Sequence, residues 1–360
     1  AADVSRENGY MHTLIRSLHN LSAGIYWPRG QFDLALTFSE NAAQVAHQYQ
    51  ILRYMRHILT VKALIYLTLG EYRQMAKTLE QLKECASPGS LSEGYYYCLK
   101  GHLAQVTESI KDSPVDLYRR ALSIAEAIGE PGLNIEARLG LSRYYRLQGE
   151  LPTALAWADQ AVHLANQSGY VHVEGRVMIE LARVHWVMGD LTKAEADLCK
   201  AIKLLTSIQA HFDLALARLL LAALLYVQKR DEASVALLEA LQAIHRGGYE
   251  FLLEIERAIA FPLIAASVNH PDRQVVMLYS ALLRRLQKVP PPPLIIRTLG
   301  GFEVRQGKRW IAVQSWKQRQ AGELFRLLLI SQQRTLRREQ IIDALWPNVL
   351  PLPEYPPSTR

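Results

Sequence analysis

Apolar side chains recur along most of this chain at the three- and four-residue spacing of amphipathic helices. Short turns interrupt them at regular intervals. Pro28-Arg29-Gly30-Gln31-Phe32, Thr68-Leu69-Gly70-Glu71-Tyr72, Leu147-Gln148-Gly149-Glu150-Leu151 and Val187-Met188-Gly189-Asp190-Leu191 align on their glycines, close to 40 residues apart or a multiple of it. Two further units keep the register without the glycine, near Ser109 and Gln228. Small residues follow the turns at fixed offsets: Ala35 and Ala42, Ala154 and Ala161, Ala194 and Ala201, with Ala121 and Ala240 at the second offset of the third and last units. An aromatic residue precedes the glycine by four in Tyr26, Tyr66 and Tyr145, and His185 takes that place as a variant. The pattern predicts paired antiparallel helices, for example 135–147 and 152–167. Glycine in the left-handed conformation stops the first helix, and alanines let the second approach closely.

Pro114 and Pro152 fall at helix starts, where the missing N–H costs nothing. Residues 166–169 read as the connection between units, and 271–288 as a last, capping helix. The aromatic, the Gly-Asp/Glu turn and the two alanines together resemble the tetratricopeptide repeat. That repeat is usually about 34 residues long, so the longer spacing is a departure. It resembles the extended repeats in the sensor region of large bacterial transcription regulators of the maltose-activator (STAND) type, over residues 10–288. The resemblance implies a mainly α fold: a tetratricopeptide-like superhelix (α-solenoid) of about six hairpins plus a cap over 1–288, its first helices lining the inner face. On those inner positions Arg143 and Arg183 are equivalent in adjacent repeats, as are Glu136 and Arg176, and Arg146 and Trp186. Arg143, Arg146, Arg176, Arg183 and Trp186 are the candidate groove residues, a basic, aromatic-edged surface for a peptide, a protein or a small anionic inducer. The alternative is that these arginines pair with Glu136, Glu174 and Glu180. Tyr95, Tyr96 and Tyr97 are assigned to packing between repeats.

The pattern changes after Val289 and four consecutive prolines, a stiff spacer at 289–293. Residues 294–304 alternate in strand fashion, Gln306-Gly307-Lys308 reads as a turn, and 310–313 as a second strand. Ser315 is the expected N-cap of a helix to about Ile330, and Thr335 the start of another. Leu299-Gly300-Gly301-Phe302, Trp316-Lys317-Gln318-Arg319-Gln320-Ala321, Leu327-Leu328-Leu329 and the run from Arg338 to Pro347 resemble the opening of the OmpR-type winged-helix domain of SARP-type bacterial activators. The resemblance implies a small α+β DNA-binding segment over 294–348. The proline-rich tail 349–360 stands where the resembling domain carries its recognition helix and wing, so the segment is expected to be truncated, with DNA bound only by a complete protein and an NTPase module upstream. Lys317, Arg319, Arg334, Arg337 and Arg338 are candidate phosphate contacts, which position without specifying sequence.

Charge sharpens this division. The chain carries a net +7. Between 294 and 348 there are ten Lys/Arg and four Asp/Glu, while the preceding 293 residues hold thirty and twenty-nine. Three separated cysteines, Cys85, Cys98 and Cys199, argue against a disulfide framework and for a reducing, cytoplasmic setting. The longest apolar run, 214–227, is interrupted by Arg218 and is too short for a bilayer. No phosphate-binding loop, zinc-ligand spacing or nucleophile elbow occurs: Gly301 with Gly307-Lys308-Arg309 is one residue too long and lacks the Ser/Thr. His163, His172 and His185 fall at repeat positions suited to helix surfaces or core. No catalysis, metal or cofactor is expected. The expected function is a ligand- or protein-binding sensor of a bacterial transcription regulator. The alternative is a general interaction scaffold unrelated to transcription, and self-association through an uncapped repeat end is compatible with both.

Overall fold

A computed structural model describes residues 9–107, 110–290, 294–298, 302–306, 309–311, 319–331 and 335–346. It divides into two compact units, Ala1–Pro291 and Pro292–Arg360.

The first unit is a stack of helix hairpins: α1 (Met11–Leu21) with α2 (Phe32–Gln48), α3 (Met55–Leu69) with α4 (Tyr72–Cys85), α5 (Leu91–Val106) with α6 (Pro114–Ile128), α7 (Pro131–Gln148) with α8 (Leu151–Ser168), α9 (Val171–Met188) with α10 (Leu191–Ser207), and α11 (His211–Val227) with α12 (Ala233–Gly247). A π-helical turn, Ser22–Tyr26, extends α1. Two short helices, α13 (Glu250–Ile255) and α14 (Arg257–Ala266), precede the final α15 (Arg273–Gln287). The fold is a tetratricopeptide-like solenoid.

Its rhythm is set by left-handed residues in two interleaved series. Gly30, Gly70, Gly149 and Gly189 close the first helix of their hairpins, and Lys229 takes the same conformation (φ 57°) where the glycine is lacking. Gln50, Gly89, Gly129, Gly169, Gln209 and Gly248 do so at the connections between hairpins. At Gly70 the cap is a Schellman motif: Glu71 N–H donates to the Tyr66 carbonyl and Gly70 N–H to that of Leu67. The same 6→1 bond ends on Tyr26, Tyr145 and His185, so the aromatic position of the repeat is also the residue whose carbonyl the turn satisfies. The outer helices approach on alanine. Ala35, Ala42, Ala121, Ala154, Ala161, Ala194, Ala201 and Ala240 are all fully buried.

The hairpins turn far enough for the ends of the stack to meet. Phe32, Ala35, Val61 and Ile65 of the first two hairpins share one hydrophobic cluster with Phe212, Tyr249, Leu252 and Leu253. The unit is therefore a ring with a seam, which the local pattern did not announce. No helix among the described residues is long and apolar enough to cross a membrane.

The second unit opens with three antiparallel strands in the order β1 (Leu294–Arg297), β2 (Glu303–Gln306), β3 (Arg309–Ile311). Leu294 faces Gln306, Arg297 faces Glu303, and Val304 faces Ile311. The alternation read as one strand over 294–304 is thus two strands paired with each other, with Gly300-Gly301 between them in sequence. Helices α16 (Arg319–Ile330) and α17 (Arg338–Leu345) follow. Arg337, not Thr335, precedes α17. Its N–H donates to Gln340 Oε1 at 2.9 Å, half of a capping box whose other half needs an acceptor that arginine lacks. The expected N-cap Ser315, the linker residues 291–293 and the tail 349–360 lie outside the described residues, as do Lys317, Arg334 and the Arg319 side chain.

Candidate functional site

The first helices of the hairpins stand side by side around the inside of the ring, and the 40-residue repeat brings equivalent positions together. Glu136 on α7 and Arg176 on α9 are one repeat apart. They meet in a double hydrogen bond, Nη1–Oε2 at 3.0 Å and Nη2–Oε1 at 3.1 Å. Arg146 grips Glu180 from α9 in the same forked manner at 2.6 and 3.2 Å. Arg183 reaches across the ring to Glu256 at the α13–α14 junction, at 3.2 and 2.5 Å. Glu136 and Glu180 are 5% and 2% exposed, so each pair is largely withdrawn from water. A buried ion pair of this kind is costly to desolvate and tolerable only when the geometry satisfies both partners.

The carboxyls respond accordingly. Burial, the largest single influence on Glu136, pushes its pKa up; Arg176 and His102 outweigh it and hold the group well below the usual range. Glu256 is lowered in the same way, burial being overcome by Arg183 with help from Arg143 and Arg146. His102 is driven down mainly by its own burial. Its Nδ1 lies 3.0 Å from the buried Tyr118 hydroxyl, and its Nε2 3.5 Å from Glu136 Oε1.

The four arginines expected on the inner face do not make a basic patch. Arg146 and Arg176 are neutralised by Glu180 and Glu136, two of the partners the sequence alternative named, and Arg183 by Glu256, which it did not name; Glu174 instead pairs with Lys200 at 3.0 Å. Arg143 is the exception. It lines the same chamber and makes no ion pair or hydrogen bond among the described residues. Its charge lowers the Glu256 carboxyl and opposes the upward pull of burial on Tyr72. Trp186 is not at the chamber edge: it is half-buried and packs between two hydrophobic clusters. Tyr95, Tyr96 and Tyr97 pack between hairpins as expected. His172 donates from Nε2 to Asp213 Oδ2 (2.8 Å), His185 from Nδ1 to Asp197 Oδ2 (2.6 Å), and His163 pairs with Gln167.

The space that remains inside is about 140 Å³. That holds on the order of ten waters, each needing roughly 10–15 Å³ on this measure, and no peptide chain. The seam explains why. Trp27, from the first hairpin's turn, donates its Nε1–H to Thr68 Oγ1 (3.4 Å) and sets its ring edge-on to His172 at 5.7 Å. Phe32 lies 5.2 Å from Phe212, 6.2 Å from Tyr249 and 6.1 Å from Phe251, centroid to centroid. Gly30 admits this approach, since a Cβ there would sit 2.9 Å from that of Phe212. Sequence reasoning missed these residues. The one local hint was an aromatic directly after the first turn, and nothing in it named a partner 180 residues away.

No protein-family model matches the chain, and no curated protein sequence does. Among solved structures it is similar to BtubC (BKLC) from P. vanneervenii, at 17% identity over 64% of this chain and 97% of that one, TM-score 0.46. It is also similar to a signal transduction ATPase with numerous domains, carrying a tetratricopeptide-repeat sensor, from Pyrococcus horikoshii (16%, 77% of this chain, TM-score 0.45). The chain spans 44% of that protein's length. A Rap protein complexed with Competence and Sporulation Factor aligns at 12% identity over 78% of this chain and 97% of that one, TM-score 0.38. With all three scores below 0.5, the fold assignment rests on the hairpin geometry itself.

Proposed function

We propose that this chain is the sensor and coupling region of a bacterial transcription regulator, a partner-binding scaffold that performs no chemistry. The observation that carries the reading is the division of the chain: a ring of helix hairpins with a nearly neutral surface, and a separate small sheet with two helices where the excess positive charge lies. A ring closed by a single seam has two packings available, closed and sprung. A ligand that favours one shifts the population without catalysis. The small unit then supplies phosphate contacts through Lys317, Arg319, Arg334, Arg337 and Arg338.

The test is binding of short duplex DNA across a salt series. The expected complex is weak and blind to sequence, and Arg337→Ala with Arg338→Ala should reduce the slope of log K against log salt by about 2. A complex whose slope is untouched by the double substitution removes these phosphate contacts, and with them the support for the transcription reading, and leaves a general interaction scaffold.

A further inference from the structure

The seam that closes the chamber opens a second space on the rim of the ring. A groove of about 1140 Å³ runs between the start of α2, helices α11 and α12, and the aromatic pair Tyr249 and Phe251. We propose that this groove docks a short peptide segment in which one acidic side chain stands beside a bulky apolar one. The proposal rests on the reading of the chain as a partner-binding scaffold and names its site and partner class.

Size comes first. The groove exceeds the roughly 300–1,000 Å³ of small-molecule pockets, and its rim residues Asp33, Leu34, Glu239 and Arg246 are exposed, so a chain can lie along it. Charge comes second. Arg218 is the only charged residue in the apolar stretch 214–227. It is half-buried, lines the groove, and makes no hydrogen bond or ion pair among the described residues. The contrast with Arg146, Arg176 and Arg183, each gripped by a carboxylate, is direct. The Arg218 guanidinium nitrogens are not enclosed by protein and stay open to the groove, so an incoming carboxylate can match their fork. Arg246 adds a second cation, held among the described residues only to Gln242 Oε1 at 3.3 Å.

Asp33 and Glu239 on the same rim limit how much negative charge the groove accepts. A polyanion meets repulsion there, whereas a single carboxylate aimed at Arg218 does not. The apolar half of the ligand is asked for by Leu34, 44% exposed at the rim, and by the half-buried face of Phe251. Because one wall belongs to the first hairpin and the other to the last, an occupant holds both sides of the seam and favours the closed ring.

The experiment is fluorescence anisotropy with labelled octapeptides carrying Leu and Phe around a central Glu, Gln or Lys. The Glu peptide should bind about tenfold tighter than the Lys peptide, the difference made by one charge-assisted contact. Arg218→Gln should remove about that tenfold preference, and Glu239→Gln should tighten the Glu peptide about twofold. Leu34→Asp, at an exposed position that the fold tolerates, should weaken it about tenfold and guards against a misfolded Arg218 variant. Equal binding of the three peptides, or Glu-peptide affinity unchanged in both Arg218→Gln and Leu34→Asp, overturns the seam site while the scaffold reading stands. If no peptide of the series binds at millimolar concentration, the seam site falls, while the scaffold reading is decided separately by the DNA salt series.

Discussion

In the middle of the ring, α8 buries four alanines, Ala154, Ala158, Ala161 and Ala165, against its neighbours. At the seam, the same job falls to Phe32, Phe212 and Tyr249 set edge to face, with Phe251 stacked parallel on Phe212. The middle is held by small residues in step, and its inner helices α7 and α9 by two forked ion pairs. The seam is held by a few large side chains that occur once. Neighbouring hairpins pack because every unit carries the same short-range code. The two ends pack because of where the accumulated rotation leaves them, and each needs its own filler. The middle should therefore behave as a cooperative stack of nearest neighbours, and the seam as a separable closure.

The largest effect is expected from Glu136→Ala, which leaves the Arg176 guanidinium buried without its partner. It should destabilise the first unit by about 4 kcal/mol, and the companion Arg176→Met should recover much of that loss. Chemical denaturation of the four members of the cycle measures it. An additive double variant would show that the pair is not the organising contact. Next, Phe32→Ala should cost about 3 kcal/mol. Hydrogen exchange should locate the loss in α1, α2, α13 and α14, with α7 to α10 keeping their protection. Uniform loss throughout the ring would erase the distinction between middle and seam.

Acid should act on both regions in one direction. His19 on α1 is lowered from 6.5 to about 4, chiefly by burial and then by the nearby His57. A histidine kept neutral in the folded state is protonated first in the unfolded chain. Its contribution is therefore present above about pH 6.5 and is lost as pH falls toward 4. The loss is on the order of 3 kcal/mol, and His19→Gln should flatten that limb of the stability profile. Below it, the lowered Glu136 and Glu256 carboxyls extend the same trend. The smallest effect is a gain. Lys229→Gly supplies the glycine missing from the last turn, where the residue holds φ 57°. It should stabilise the unit by about 0.5 kcal/mol, the left-handed strain relieved being partly offset by a freer unfolded chain. A destabilised variant would show that the Lys229 side chain, not its backbone, matters at that turn.

Much of the ring was legible because its rule is local. A left-handed stop, an aromatic four residues before it and alanines after it decide each hairpin within about 20 residues of chain. The second series of stops was partly hidden, since Gln50 and Gln209 share it with glycines. The inner arginines were placed on the right helices by their spacing. Their pairing was not decided, because Arg183 finds its carboxylate 73 residues away, at Glu256 on a short helix outside the repeat. Trp186 was misread for a related reason: the equivalent of a groove position is turned into packing when a neighbouring cluster has room for an indole. In the second unit the alternation was read correctly as strand, but not that it folds back on itself.

The sequence by itself determined that this chain forms stacked helix hairpins with a basic sheet-and-helix segment after a proline spacer, because helix period, caps and turn conformations are set by near neighbours. Only the tertiary structure decided that the stack closes, that three of four inner arginines are already spent on carboxylates, and that the open space lies at the rim and not in the centre. Those outcomes depend on small rotations summed over six hairpins and on side chains that meet only when that sum is complete.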